Sequence, residues 1–115
     1  MAERPLPDKR IFSYEEAAGL LPEVRRITEE AYREVEAVES AAPSEGGKRN
    51  DVQAKLESIA RSWARSIVEL GLEVKGLWLV DFDNGSGYYC WRYPETGLQF
   101  FHSYQDGFGG RVRIH

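Results

Sequence analysis

The chain has 115 residues, of which 15 are basic and 19 acidic, and its formal net charge is −4. This length predicts a single domain with a core that needs no disulfide or metal, and the acidic balance argues against nucleic-acid binding. The single cysteine, Cys90, excludes an intramolecular disulfide and a zinc site made of thiolates alone. Because no signal-peptide pattern or membrane-spanning apolar run is present, we expect a cytoplasmic protein without a membrane segment.

The N-terminal residues predict a flexible lead-in followed by a helix. Residues 1–11 contain two prolines and several charges. Ser13, followed three residues later by Glu16, is typical of a capping box. The pattern therefore predicts that the first helix begins at Tyr14.

Pro22 decides how the first helical region is divided. In a helix interior proline removes a backbone hydrogen bond, whereas in the first turn it is tolerated. We therefore expect a short helical turn at residues 14–20 and a long helix at 22–41, with a single kinked helix as the alternative. The apolar stripe of the long helix has helical spacing. It consists of Val24, Ile27, Ala31, Val35 and Val38.

A second helix follows a loop that contains a proline and two glycines. Asn50 with Gln53 predicts its N-terminal cap, and Gly71 before apolar Leu72 predicts its end. Its stripe consists of Val52, Leu56, Ile59, Trp63, Ile67 and Leu70. The two helices predict an antiparallel hairpin over residues 13–71, with stripes narrow enough for a coiled coil.

From Leu72 onward, apolar residues alternate with polar ones, which is typical of strands. Asn84-Gly85 and the segment 94–97 (PETG) predict two tight turns. Residues 72–115 are therefore predicted to form a β-meander and a C-terminal loop. The predicted strands are 73–82, 87–93 and 98–104. The predicted fold is α+β, with the helical hairpin packed on a three-stranded antiparallel meander.

These turns also predict which side chains share a face of the sheet. A turn at Asn84-Gly85 pairs Asp81 with Tyr88, and a turn at Glu95-Thr96 pairs Tyr89 with His102. The face toward the helices then carries Trp78, Val80, Tyr89, Trp91, Tyr93, Leu98, Phe100 and His102. The opposite face carries Leu77, Leu79, Asp81, Tyr88, Cys90, Arg92, Gln99, Phe101 and Ser103.

This register separates the residues that are able to do chemistry. His102 lies on the face opposite to Cys90 and Asp81, which excludes a Cys–His dyad unless the register slips by one residue. No serine lies in a nucleophile-elbow motif. We therefore predict no catalytic residue, no cofactor and no metal site, because two ligands do not make a metal site.

The segment FFHSYQDGFGGR, residues 100–111, is interpreted first as the last strand with its closing turn. Its second interpretation is a candidate binding site, because Asp106 can fold back to orient His102. Arg111 can bind an anion or pair with Glu95 or Asp106. A phosphate loop is excluded, since too few residues follow Gly110 to form the required helix. The candidate ligand-binding residues are Arg92, His102, Asp106, Phe108 and Arg111.

Four blocks of the sequence resemble an uncharacterised prokaryotic family, domain of unknown function 2203. They are FSYEEAAGLLPEVRR, ELGLEVKGLWLVDF, CWR and the spaced pattern H...DGFGGR. The resemblance covers Phe12 to Ile114 and implies a charged, coiled-coil-like helical region before a compact C-terminal segment. It brings no assigned activity. The matching residues are Cys90, Trp91, Arg92, His102, Gly107, Phe108, Gly110 and Arg111.

The chain departs from the family pattern at two places. Where the family has Trp-His-Glu, this chain has Phe101, His102 and Ser103, and a Gly-Glu after the arginine is replaced by 93–95 (YPE). A glutamate that the family could use beside the histidine is therefore absent.

The sequence predicts a non-enzymatic interaction module. We expect a homodimer that forms through the helical hairpin or through the exposed face of the sheet, since both present more apolar surface than one chain needs. The alternative is a small-ligand or metal-binding protein, and an enzyme is included in this alternative. Its site would surround the C-terminal segment.

Overall fold

The computed structural model describes residues 10–41 and 49–114. Two helices precede an antiparallel sheet whose five strands lie in chain order. The elements are α1 (Tyr14–Ala41), α2 (Arg49–Glu69), β1 (Glu73–Gly76), β2 (Leu79–Asp83), β3 (Gly87–Arg92), β4 (Phe100–Ser103) and β5 (Val112–Arg113). The α+β class is confirmed, but the described sheet has five strands rather than three. Most of the predicted lead-in and of the loop between the helices lies outside the described residues.

The first helix is continuous through Pro22, so the predicted division at that residue is wrong. Its start is confirmed, because the Glu16 amide donates to the Ser13 hydroxyl at 3.0 Å and the Ser13 amide donates to the Glu16 carboxylate at 2.9 Å. Pro22 is exposed. The proline therefore lies on the exposed side of α1.

The second helix ends where the sequence predicts but begins earlier. It starts at Arg49, so Asn50 lies in its first turn and does not cap it. Gly71 has φ +96°, a left-handed conformation that favours glycine, and the next residue, Leu72, is buried. Neither of the described helices combines the length and apolar content that a membrane crossing requires.

The helices pack on each other and on one face of the sheet. The buried Trp63 ring nitrogen donates to the Thr28 hydroxyl at 2.8 Å, which joins α2 to α1. The core cluster combines residues from both helices with residues from the sheet and its loops. Its members are Phe12, Ala17, Leu21, Val24, Ala31, Trp63, Ile67, Leu72, Val80, Phe82, Trp91 and Leu98.

The predicted first strand is interrupted at Trp78. Trp78 has φ +65° and lies in the turn between β1 and β2. These two strands pair with each other, and the register of the pairing is irregular after Val74. The Trp78 ring contacts Trp63 at 5.0 Å between ring centroids. An aromatic contact with the helices therefore accompanies a backbone conformation that tryptophan seldom adopts.

The hairpin between β2 and β3 turns one residue later than predicted. The Asn84 amide donates to the Gly87 carbonyl, and Gly85, at the first position of the turn, has φ +94°. Asp81 therefore pairs with Cys90 rather than with Tyr88. Because the register moves by two residues, the side chains of these two strands keep their predicted faces.

The connection between β3 and β4 differs more, because it has seven residues instead of a two-residue turn. The Glu95 amide donates to the Arg92 carbonyl, and the Glu95 carbonyl accepts from the Trp91 ring nitrogen at 2.9 Å. Leu98 is buried in the core. The register of β4 consequently moves by one residue, so that His102 pairs with Tyr88.

This one-residue shift inverts β4 relative to the prediction. Phe101 lies on the same face as Tyr89, its partner in β3, whereas His102 and Phe100 lie on the outer face, away from the helices. Phe101 also lies against Gly87, where a Cβ atom would come within 2.6 Å of its ring. The face assignments of these three β4 residues in the sequence analysis are therefore wrong.

After β4, the chain folds back along the outer edge of the sheet. A 3₁₀ turn at Phe108–Gly110 leads into β5, which pairs with β4 and was not predicted. The Ile114 amide donates to the Gln99 carbonyl at 2.8 Å. The C-terminal segment is therefore part of the sheet, and it brings Arg111 and Phe108 over the outer face.

Candidate functional site

Three side chains that can bind metal converge on the outer face of the sheet. Asp81 on β2, Cys90 on β3 and His102 on β4 are all buried, and one ligand atom from each lies within 4.8 Å of the other two. They come from three neighbouring strands and point to the same side. The predicted separation of His102 from Cys90 and Asp81 is therefore wrong. The cause is a one-residue slip in register, which the sequence analysis gave as the exception.

The imidazole of His102 is held at both ring nitrogens. Nδ1 lies 2.9 Å from the backbone carbonyl of Ser103, and Nε2 lies 2.9 Å from Oδ2 of Asp81. Because a carbonyl oxygen only accepts, Nδ1 carries a proton and Nε2 is directed at the carboxyl group. A second proton must then lie between Nε2 and Oδ2, on the ring or on Asp81, which leaves the pair without net charge.

The carboxyl group of Asp81 is almost completely enclosed. Its side chain is 1% exposed, and Oδ1 accepts no hydrogen bond from an N–H or O–H group within the described residues. The thiol of Cys90 is the second group, besides His102, that hydrogen-bonds to this carboxyl. Burial raises the pKa of Asp81, and the nearby His102 opposes this only in part. A buried carboxyl oxygen that has at most a weak thiol donor is costly, so Oδ1 is an atom to which a bound species would supply a stronger interaction.

The thiol of Cys90 shares this enclosed environment. Burial raises the pKa of Cys90 to about 12, and Asp81 raises it as well. Nη1 of Arg111 lies 4.0 Å from Sγ and is the group that opposes the shift. In this state Cys90 is a neutral thiol that becomes a ligand only when a cation replaces its proton.

Arg111 is fixed from several sides. It makes two charged hydrogen bonds to Glu95, of 3.1 and 2.6 Å, and its guanidinium lies 4.0 Å from the ring centroid of Phe100 and 3.9 Å from that of Phe108. The pairing with Glu95 is one of the two pairings that the sequence analysis left open. Because Glu95 already neutralises it, Arg111 supports Cys90 and is not a free anion site.

A cleft of about 370 Å³ opens beside the Asp81–His102 pair. One wall is the segment 104–108, and the opposite wall comes from β1 and β2. Its lining residues are Lys75, Leu79, Asp81, His102, Tyr104, Gln105, Asp106, Gly107 and Phe108. The enclosed pair therefore has a route to solvent through a cleft with both apolar and charged walls.

Polar contacts fix the aromatic residues around this cleft. The Tyr104 hydroxyl donates to Asp83 at 2.7 Å, a bond that raises the pKa of Tyr104 to about 12. The Tyr88 ring contacts both His102 and Tyr104. The cleft wall is thereby tied to β2 and β3 and is not an isolated loop.

The five candidate residues of the sequence analysis are brought together only in part. His102, Asp106 and Phe108 line the cleft, whereas Arg92 and Arg111 lie behind Phe108. Asp106 accepts a hydrogen bond from Ser103 at 3.0 Å, and the ring of His102 is oriented by Asp81 and by the Ser103 carbonyl instead. The expectation that Asp106 orients the ring is therefore wrong.

Sequence reasoning missed Asp81 and Cys90 as members of the site. The alternation of strand residues placed both on the correct face. The missing information was the position of β4, which depends on contacts of the 93–99 connection that no local motif encodes. The cluster would have been found by comparing both possible registers of β4 and asking which one brings histidine, cysteine and acidic side chains to the same face.

Residues 10–114 match the family described as "Uncharacterized conserved protein (DUF2203)". The chain belongs to this family. The match covers nearly the whole chain and confirms the resemblance found in the sequence. No curated protein and no solved structure matches the chain. The family brings no activity with it, so the site itself is the basis for inferring a function.

Proposed function

We propose that this protein binds a divalent transition metal ion, with zinc as the best fit, through Asp81, Cys90 and His102. The observation that carries the proposal is the convergence of these three buried side chains within 4.8 Å. A thiolate, an imidazole and a carboxylate are the three ligand types that Zn²⁺ takes from proteins. Thiolate also disfavours Mg²⁺ and Ca²⁺, which prefer oxygen ligands.

The three ligand atoms lie within 4.8 Å of one another, so the widest pair needs to approach by at most about 1.5 Å to fit a tetrahedral centre. Zinc–ligand bonds of about 2.0–2.3 Å place neighbouring ligand atoms roughly 3.3–3.7 Å apart. Nε2 of His102 and Oδ2 of Asp81 are now 2.9 Å apart, so they need to separate by less than about 1 Å. The metal ion would take the place of the shared proton.

Groups around the three side chains resemble the outer shell of a metal site. The Ser103 carbonyl holds Nδ1 of His102 and leaves Nε2 as the nitrogen that faces the other ligands, as in most metal-bound histidines. Arg111 lies beside the Cys90 sulfur and favours its thiolate form. Oδ2 of Asp81, which already faces Nε2, would be the carboxylate donor, and Oδ1 is the second oxygen that can approach the ion.

Cobalt substitution gives the sharpest test, because the chain contains a single cysteine. We expect one equivalent of Co²⁺ to produce a thiolate-to-metal charge-transfer band, which only Cys90 can supply, and ligand-field bands of tetrahedral intensity. One equivalent of Zn²⁺ should abolish both. Absence of the charge-transfer band in folded protein would overturn the proposal and leave the cluster as a buried, purely structural pair.

Substitutions assign the ligands individually. Cys90→Ser should remove the charge-transfer band, and His102→Gln should weaken Co²⁺ binding by at least about tenfold, which corresponds to ~1.4 kcal/mol. The matched control is Asp106→Asn, an exposed carboxylate of the same cleft that lies outside the cluster. Circular dichroism should verify the fold of each variant, and an equal loss in the control would contradict the assignment.

A cytoplasmic homodimer is the second candidate, and a different observation supports it. On the helical stripes, the core cluster ends at Ala31 on α1 and at Trp63 on α2, while Val35, Val38, Val52 and Leu56 remain only half-buried. A second hairpin would cover them in a four-helix bundle. Native mass spectrometry tests this: a monomer at tens of micromolar would count against a dimer and would leave the metal proposal untouched.

A further inference from the structure

The proposed centre lacks one ligand. Zinc centres are almost always four-coordinate, and centres with three protein ligands complete the set with water or a substrate. Among residues 10–41 and 49–114, only Asp81, Cys90 and His102 belong to the cluster of candidate ligands. The fourth ligand therefore comes from outside the cluster.

The cleft is the path along which such a ligand reaches the centre. Asp81 and His102 both line it, although each is at most 5% exposed. Its volume of about 370 Å³ lies at the lower end of the range for small-molecule sites. A small organic molecule fits this space, whereas a folded partner or a long peptide does not.

We infer, on the basis of the proposed metal centre, that its fourth coordination position is open to this cleft and binds the anionic head of a small organic ligand, of the carboxylate or hydroxamate type. The apolar side chains of Leu79 and Phe108 line the cleft and suit the body of such a molecule. Lys75 and Asp106 line it with opposite charges, so the metal ion provides the anchor for the anion.

The cobalt protein reports an exchangeable ligand directly. Azide tests whether the position is accessible, and benzohydroxamate tests whether the cleft accepts an organic body. We expect each to shift the ligand-field bands saturably while the Cys90 charge-transfer band persists. A cobalt spectrum that neither probe alters would overturn this inference but not the metal site, whereas a missing charge-transfer band would remove the metal site itself.

Two glycine variants test the route. Gly107 lines the cleft, has an ordinary extended φ of −99°, and an added Cβ there meets no atom within 4 Å. Gly107→Leu should therefore add apolar bulk at the wall of the cleft without backbone strain. Gly109 has the same open space but does not line the cleft, so Gly109→Leu is the matched control.

The expected result separates the two variants. Gly107→Leu should weaken benzohydroxamate binding by about tenfold or more, or ~1.4 kcal/mol, with a smaller effect on azide and none on the charge-transfer band. Gly109→Leu should leave both affinities within about twofold, below ~0.5 kcal/mol. If the two variants behave alike, the ligand does not enter through this cleft and the inference is wrong.

Discussion

Nε2 of His102 lies 2.9 Å from Oδ2 of Asp81, although the register read from the turn signals places the two side chains on opposite faces of the sheet. A slip of one residue in β4 accounts for the whole difference, because it exchanges the two faces of a strand. The same slip brings Cys90 into the group. Whether this chain has a candidate site therefore depends on one residue of register.

The first prediction concerns the pH dependence that Asp81 gives to stability. Its pKa is raised in the folded protein, mainly by burial. The folded state thus holds this proton to higher pH than the unfolded chain, whose aspartates titrate near ~3.9. The contribution of Asp81 is fully present below that value and is lost as pH rises through the folded pKa.

Asp81→Asn should remove this dependence. Asparagine does not titrate, and its amide can donate to Nε2 of neutral His102 in place of the carboxyl group. The unfolding free energy of wild type minus that of the variant should therefore decrease as pH rises from about 4. Urea denaturation of both proteins with a chelator present, at several pH values up to 7, measures this difference. A difference that is constant or increases with pH would show that Asp81 is not the group responsible.

The second prediction concerns the reactivity of Cys90. The residue is 1% exposed, and its pKa is raised to about 12. Native protein should therefore react with a disulfide reagent on the order of a thousandfold more slowly than protein unfolded in guanidinium, whose thiol has a pKa near ~8.5. Absorbance of the released thiolate at pH 8 gives both rates. Stoichiometric reaction of the native chain within seconds would contradict the burial.

Local signals located the start of α1 and the end of α2, but not the continuity of α1 through Pro22, the start of α2 or the arrangement of the sheet. The Ser13–Glu16 capping box and the Gly71 stop are encoded within four residues, and both are confirmed. In the connection before β4, Glu95 bonds to Trp91 and Arg111, which lie four and sixteen residues away. The sequence shows the two charges but not their distance, so the pairing remained one of two alternatives.

The turn at Trp78 escaped prediction for a different reason. A tryptophan with φ +65° runs against the residue's own backbone preference, so alternation predicts an uninterrupted strand there. Contacts of its ring with Trp63 and Tyr32 accompany this conformation. Tertiary packing of this kind overrides local propensity, and the alternation of apolar and polar residues along a strand does not reveal it.

The third prediction concerns the ion pair between Arg111 and Glu95. Their side chains are 14% and 21% exposed, and the geometry is bidentate. Removal of one partner leaves a charge in partly buried surroundings, and we expect Arg111→Met to cost about 2 kcal/mol of unfolding free energy, between the values of exposed and buried pairs. Urea denaturation of Arg111→Met, Glu95→Gln and the double variant should give a coupling energy of about 1–2 kcal/mol.

An exposed pair in the same chain provides the control for that cycle. Arg26 and Glu30 lie one helical turn apart on α1 with 55% and 64% of their side chains exposed. Their coupling energy should be smaller than that of Arg111 with Glu95 and should decrease with added salt. Equal coupling energies for the two pairs would mean that the partly buried environment of Arg111 does not strengthen its ion pair with Glu95.

The fourth prediction contrasts two Gly→Ala substitutions. At Gly87 on β3, an added Cβ would lie 2.6 Å from the carbonyl oxygen of His102 and 2.6 Å from the Phe101 ring. The carbonyl belongs to the paired strand β4 and cannot move alone, so Gly87→Ala should destabilise the protein by about 1–3 kcal/mol.

At Gly19, inside α1, an added Cβ meets no atom within 4 Å. There alanine removes the excess backbone freedom of glycine and should stabilise the protein by about 0.5–1 kcal/mol. Urea midpoints should therefore move in opposite directions, and Gly87→Ala should also weaken Co²⁺ binding, because it displaces the strand that carries His102. If both midpoints move in the same direction, the close approach of β4 to Gly87 does not hold in solution, and the register that assembles the site is wrong.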